Sequence, residues 1–244
     1  VSSRTPLQKR GFRFTYAPMN FVEKIDDRVK IQRVLVSVYD KNGLDTLVPE
    51  LLRINPAITL YSTGGTHRAI ADILGETGSG RLVAVSEYTG QPEMQGGLVK
   101  TLDFKIYLGL LSETYNPAHR RDLERTGAVP FDMAVVNLYP FQDTVAQKDV
   151  TPERARANID IGGPCMIRAA AKNFLRVAAV VDPGDYQSVI AELEQNRGCL
   201  SLETRFRLAR KTFDYTSEYD TAIAAYLGSC APEAVRSSYP EVLP

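Results

Sequence analysis

Apolar residues along this chain recur in short, nearly continuous runs, and each run breaks on a polar or glycine-rich turn. "RVLVSVYD" (33–40) is β-rich and stops at Asp40-Lys41-Asn42-Gly43. The period then changes: Leu44, Leu47, Val48, Leu51 and Leu52 fall at three- and four-residue spacings, which predicts an amphipathic helix. "AITLYSTGG" (57–65) repeats the scheme, a short strand running into glycines, and Thr66 reads as the N-cap of the helix "HRAIADIL". Further strands are predicted at "RLVAVSEY" (81–88), "FDMAVVNLYPF" (131–141) and "RVAAVVD" (176–182), while "KIYLGLL" (105–111) reads as a strand or buried segment. Helical patterns fill 151–158, 164–173, the stretch after Asp182-Pro183-Gly184, and the Arg-, Leu- and Ala-rich region 201–227. Strands that are apolar throughout and alternate with helices predict an α/β fold, a mostly parallel β-sheet flanked by helices. A helical region then closes the chain. Residues 1–30 show no sustained period and are expected to form an N-terminal extension, 31–230 the folded domain, and 231–244 a tail.

Composition narrows the picture by exclusion. Hydrophobic residues make up 44% and charged residues 24%, ordinary values for a globular protein. Lys plus Arg (29) balances Asp plus Glu (29), so no global charge points to nucleic acid or an anionic membrane. No apolar run approaches the ~20 residues of a membrane span, and the first thirty residues lack a continuous apolar stretch of the kind a secretion signal needs. Cys165, Cys199 and Cys230 form no CxxC pair and are odd in number, which argues against a disulfide framework. With His67 and His119 as the only histidines, a zinc site of His and Cys ligands is not expected. A cytoplasmic protein with reduced thiols, without metal, is the expectation.

In parallel sheets, ligands sit beyond the carboxyl ends of the strands. The loops that follow strands therefore carry the candidate chemistry. "YDKNG" (39–43) and "STGGT" (62–66) each lead from a strand into a helix, where free backbone N–H groups and small residues suit a phosphate. Lys41 adds a point charge; Ser62, Thr63 and Thr66 add hydroxyls. Neither is a Walker A or GxGxxG motif, so neither a nucleoside triphosphate nor a dinucleotide is favoured. Glycine-rich turns are also good turn chemistry in their own right. "TGQPEMQGGLVKTLDFK" (89–105) is a long irregular stretch in which Lys100 and Thr101 follow Gly96 and Gly97. "VVNLYPF" ends a buried strand in Asn137, Tyr139 and a strand-stopping Pro140. In "NIDIGGPCMIRAAAKN" (158–173), Gly162 and Gly163 would let a ligand approach Asp160, which could alternatively cap the following helix; Lys172 could alternatively be a C-terminal helix cation. Lysines, a tyrosine, an acid and anion-suited turns at one sheet edge fit proton transfer and electrophile activation on a phosphorylated small molecule.

Six segments in order, "SVYDKNG", "STGGT", "YTGQPEMQGGLVKTL", "VVNLYPF", "NIDIGGPCMIRAAAKN" and "TRFRLARKTFDYTSEYDTAIAAYL", resemble the inosine monophosphate cyclohydrolase domain at the N-terminus of the bifunctional purine biosynthesis protein. The resemblance runs from about residue 33 to 227. It does not extend to that family's second, folate-dependent formyltransferase domain, so it implies a stand-alone cyclohydrolase or one domain of a longer protein. It implies a fold similar to methylglyoxal synthase, and closure of the purine ring of 5-formamidoimidazole-4-carboxamide ribonucleotide with loss of water. No metal or organic cofactor is implied. Carried over residue by residue, the catalytic groups fall on Lys100, Tyr139, Asp160 and Lys172, with Asp160 and Lys172 facing one pocket. Phosphate and ribose contacts fall on Lys41, Thr63, Gly65, Thr66 and Thr101; Asn137 and Gly162 join them from their position at the same edge.

The chain departs from the family pattern in places. It reads "GLVKTLDF" where the family usually has "GRVKTLHP", so Leu98 replaces an arginine and Asp103-Phe104 replaces His-Pro. Tyr107 replaces a second histidine, and Tyr39 stands where the family often has a small hydroxyl residue. The expected partners are a small nucleotide substrate, a second copy in a homodimer, and a separate formyltransferase that supplies the formylated substrate; nucleic acid and membrane are not expected. The competing reading is a non-catalytic regulatory module of the same fold that binds a phosphorylated ligand. Such a module would keep the phosphate turns without needing Tyr139, Asp160 and Lys172 together.

Overall fold

Five of the apolar runs lie side by side in the computed structural model, which describes residues 21–91 and 100–240. They form a fully parallel sheet in the order β4-β3-β2-β5-β6, with β2 at Arg33–Ser37, β3 at Thr59–Ser62, β4 at Leu82–Ala84, β5 at Met133–Val136 and β6 at Ala178–Val180. Register places Val34 beside Leu60 and Met133, and Val36 beside Ser62 and Val135. Winding proceeds outward from β2 through β3 to β4, then returns to the other side of β2 for β5 and β6. The connections therefore diverge at the carboxyl ends of β2 and β5, which is where such sheets open a crevice.

Alternation along each strand feeds two cores. Val34, Val36, Leu60, Met133, Val135 and Val180 face one side, covered by α1 (Leu44–Ile54), α2 (Gly64–Gly78) and α9 (Tyr186–Gln195). Leu35, Tyr61, Ala134, Val136 and Ala179 face the other side, covered by α4 (Phe104–Leu111), α8 (Gly162–Lys172) and α10 (Leu202–Ser229). Short helices complete the connections: α3 (Val85–Thr89), α5 (Pro117–Thr126), α6 (Phe141–Val145), α7 (Pro152–Ala157) and α11 (Pro232–Ser237). None of the described helices is long and apolar enough to cross a membrane.

Two expectations are corrected here. Of the two readings for 105–111 the strand fails and the buried segment holds: it is helix α4. Asp103 caps it, its Oδ1 accepting from the Lys105 backbone N–H at 2.7 Å, and its Oδ2 accepts from the Gln91 amide at 2.9 Å. Ile106 and Leu110, one turn apart, are both buried; an apolar run this short carries no period that separates a buried helix from a strand. Thr66 is not an N-cap either. Helix α2 already begins at Gly64, and the Thr66 hydroxyl is engaged across the sheet edge with the backbone of Val38.

A two-stranded antiparallel ribbon pairs β1 (Arg28–Lys30) with β7 (Cys199–Ser201), so the end of the stretch expected as an extension is tied to the domain. Arg205 fastens this junction. Fully buried, it donates to the carbonyls of Asp26, Asp27, Phe174, Leu175 and Leu200. Five neutral acceptors around one guanidinium make it a structural cross-brace between the start of the domain, the approach to β6 and helix α10.

Candidate active site

A cavity of about 530 Å³ opens at the carboxyl edge of the sheet, over the ends of β2, β3 and β5 and the N-terminus of α8. Its lining includes Lys41, Thr63, Gly65, Thr66, Lys100, Thr101, Asn137, Tyr139, Asp160 and Gly162. Residues up to 121 positions apart in the chain thus converge because the parallel crossovers return every strand end to one edge. Leu98, Gly96 and Gly97 lie outside the described residues.

The members of this set have different jobs. Asn137 is consumed in holding the β2–α1 turn: its Oδ1 accepts from the backbone N–H groups of Tyr39 (2.7 Å) and Asp40 (2.9 Å), and its Nδ2 donates to the Asp40 carbonyl at 2.9 Å. Thr66 does the same one strand over, its hydroxyl accepting from Val38 N–H and donating to Val38 C=O. The Thr63 hydroxyl meets that of Ser37 at 2.8 Å. These side chains fix two adjacent turns whose N–H groups begin α1 and α2, and Lys41 lies over the first turn with its Nζ donating to the Tyr39 carbonyl. The result suits an anion.

Asp160 stands across the cavity. Its Oδ1 accepts from the Gly163 N–H at 2.9 Å, and its own N–H donates to the Tyr219 hydroxyl at 2.8 Å. Burial pushes the carboxyl pKa up, against the pull of the Gly163 N–H and of the Lys100 charge. Close packing leaves no room for side chains at the neighbouring glycines. A Cβ on Gly162 would come within 2.4 Å of Thr101 Oγ1, and one on Gly163 within 2.5 Å of Asp160 Oδ2. Lys100 reaches the other wall, its Nζ 3.8 Å from where a Cβ on Gly64 would stand.

Lys172 is not in this set. It lies exposed at the last residue of α8, whose first turn carries Gly162 and Gly163 beside Asp160. Ten residue steps of helix from Gly162 to Lys172 place them about 15 Å apart along the axis. Within one chain, Asp160 and Lys172 therefore do not face one pocket, and that expectation is corrected. Two supports were missed in the sequence. Tyr215 and Tyr219 on α10 accept from the backbone N–H groups of Leu138 and Asp160, bracing the strand end and the acid from behind. Their spacing of four residues on a helix was the available signal.

The profile of the MGS-like domain family matches residues 44–165, and that of the AICARFT/IMPCHase bienzyme family matches residues 170–243. The chain is 44% identical over 215 residues to the bifunctional purine biosynthesis protein PurH of Acidithiobacillus ferrooxidans, covering 88% of this chain and 40% of that protein. PurH of Leptospira biflexa is 46% identical over 198 residues, covering 81% of this chain and 37% of its own length. PurH of Neisseria meningitidis is 43% identical over 212 residues, with 87% and 38% covered. The chain thus spans no more than 40% of the length of these relatives. The crystal structure of ForH superposes with a TM-score of 0.66 at 32% identity, covering 80% of this chain and 97% of that one. The parallel sheet described above is the one this relationship implies, and the chain belongs to the MGS-like domain family.

Proposed function

We propose that the chain is an inosine monophosphate cyclohydrolase acting in purine biosynthesis, closing 5-formamidoimidazole-4-carboxamide ribonucleotide to IMP with release of water. The observation that carries this reading is the convergence of Lys100, Tyr139 and Asp160 with two anion-suited turns in one cavity. The purine biosynthesis relatives support the same reading.

The 5′-phosphate sits at the turns of Lys41 and Thr63–Thr66. The carboxamide nitrogen attacks the formyl carbon, forming the new C–N bond and placing negative charge on the former carbonyl oxygen. Lys100 stabilises that oxygen, a contribution of a few kcal/mol in a dry site. Asp160, whose pKa burial has raised, takes one proton from the carboxamide nitrogen and passes it to the oxygen; the formamido N–H gives up the second, and the C–O bond breaks as the ring C=N bond forms, releasing water. No electron leaves or enters. Tyr139 orients the carboxamide from the cavity rim.

The test is to incubate purified protein with the formamido ribonucleotide and follow purine absorbance. Ring closure well above the uncatalysed rate is expected, and it should vanish in Lys100→Ala. Tight binding without turnover would overturn the reading in favour of a non-catalytic ligand-binding module.

A further inference from the structure

Two tyrosines stand at the mouth of the cavity with more surface in solvent than large aromatics usually keep: Tyr39 is 51% exposed and Tyr139 44%. Their ring centroids are 5.3 Å apart and their planes inclined by 59°. One comes from the β2–α1 turn, the other from the end of β5. Asn137, two residues before Tyr139, accepts from the backbone N–H of Tyr39, so the turn that carries one ring is tied to the strand end that carries the other. Among the described residues these are the only aromatic rings lining the cavity, whose remaining wall mixes Ser, Thr, Asn, Lys and Asp with glycine and aliphatic side chains. Both rings also border a second, wider groove that carries Asp143, Asp182, Asp214 and Glu218. The pair therefore closes the cavity on the side of an acidic surface.

A ligand held by its phosphate at the turns must lay a flat heterocycle toward Asp160, and a flat heterocycle gains most from an aromatic face. We infer that Tyr39 and Tyr139 form an aromatic wall for the base of the bound nucleotide, which makes Tyr39 a binding residue that determines affinity for the heterocycle. This rests on the cyclohydrolase reading for the identity of the nucleotide.

Titration calorimetry with IMP and with ribose 5-phosphate, on the wild type, Tyr39→Ser and Tyr39→Phe, tests it. Tyr39→Ser should weaken IMP roughly tenfold, within the range of base–aromatic stacking, and leave ribose 5-phosphate affinity unchanged. Tyr39→Phe keeps the ring and should restore IMP binding. Unchanged IMP affinity in Tyr39→Ser overturns the inference, as does an equal loss for both ligands, which would mean that Tyr39 acts through the phosphate turn. Wild-type protein that binds ribose 5-phosphate but gains nothing from the base also overturns it, while ring closure in the activity assay is read independently.

Discussion

The Asp160 carboxylate and the Gly163 backbone N–H meet at 2.9 Å, so one side chain both caps the first turn of α8 and lines the cavity. Helix cap and pocket acid look like alternatives in the sequence. The geometry makes them one arrangement: the N–H that α8 leaves unpaired holds the acid in place, while burial raises its pKa.

Asp160→Asn should separate the two roles. The amide oxygen can still accept from Gly163, so the cap survives, but proton transfer is lost, and turnover should fall by roughly 10²-fold or more. Stability should move the other way. A carboxyl with a raised folded-state pKa keeps its proton to higher pH folded than unfolded, where it titrates near 3.9. Its contribution to stability is thus lost as pH rises through the folded value. The variant should melt no lower than the wild type at pH 7, and its relative advantage should shrink at pH 4. A variant that is equally stable and fully active would leave Asp160 as a cap alone.

Gly163→Ala should damage the same group from behind. The new methyl meets Asp160 Oδ2 and Leu138 Cδ2, both at 2.5 Å, and overpacking of this kind costs about 1–3 kcal/mol. Turnover should drop with it as the carboxylate is displaced. Gly65, where an added Cβ meets nothing within 4 Å, should accept alanine with no loss in melting temperature.

The sheet was legible because its strands announce themselves by unbroken apolar runs ending in Asp40–Gly43, Ser62–Thr66 and Asn137–Pro140. These same endings supply most of the cavity wall, so site and fold were read from one signal. What escaped reading depended on tertiary partners. Helix α4 read as a strand or buried segment because its run is short and mostly apolar, with Ile106 and Leu110 buried in the same core as Phe131, and Asp103, read only as a departure from the family pattern, is its cap. Thr66 looked like a cap because nothing local shows that Val38, 28 residues away, takes its hydroxyl. Lys172 was placed beside Asp160 by motif, whereas a straight helix carries it to the opposite end.

If the turns at Lys41 and Thr63–Thr66 hold phosphate, IMP should bind at least 10²-fold more tightly than inosine. Charge-assisted hydrogen bonds contribute about 1.5–3 kcal/mol each, and at least two are at stake. Lys41→Ala should remove part of that difference by weakening IMP alone. Equal affinities for nucleotide and nucleoside, measured by calorimetry, would show that these are turns and nothing more.

The remaining prediction lies away from the cavity, at the opposite edge of the sheet. Asp132 precedes β5, and its Oδ2 accepts from the backbone N–H groups of Gln32 (3.0 Å) and Arg33 (2.9 Å) as β2 begins. Its Oδ1 faces Arg176 Nη1 at 3.4 Å, and Arg176 in turn donates to the carbonyls of Ser112 and Gly109. Both partners are buried, and burial dominates both: it pushes the Asp132 carboxyl up and pulls Arg176 down to about 10, against their mutual attraction. A pair in that condition adds little net stability, yet losing one member strands the other without water or counter-charge. Asp132→Ala should therefore cost about 3–5 kcal/mol in urea unfolding. Replacing both at once, Asp132→Leu with Arg176→Met, should cost less than the sum of the two single losses, because no buried charge is left alone. Additive losses would mean that the backbone contacts to Gln32, Arg33, Gly109 and Ser112, rather than the charge pair, hold this edge together.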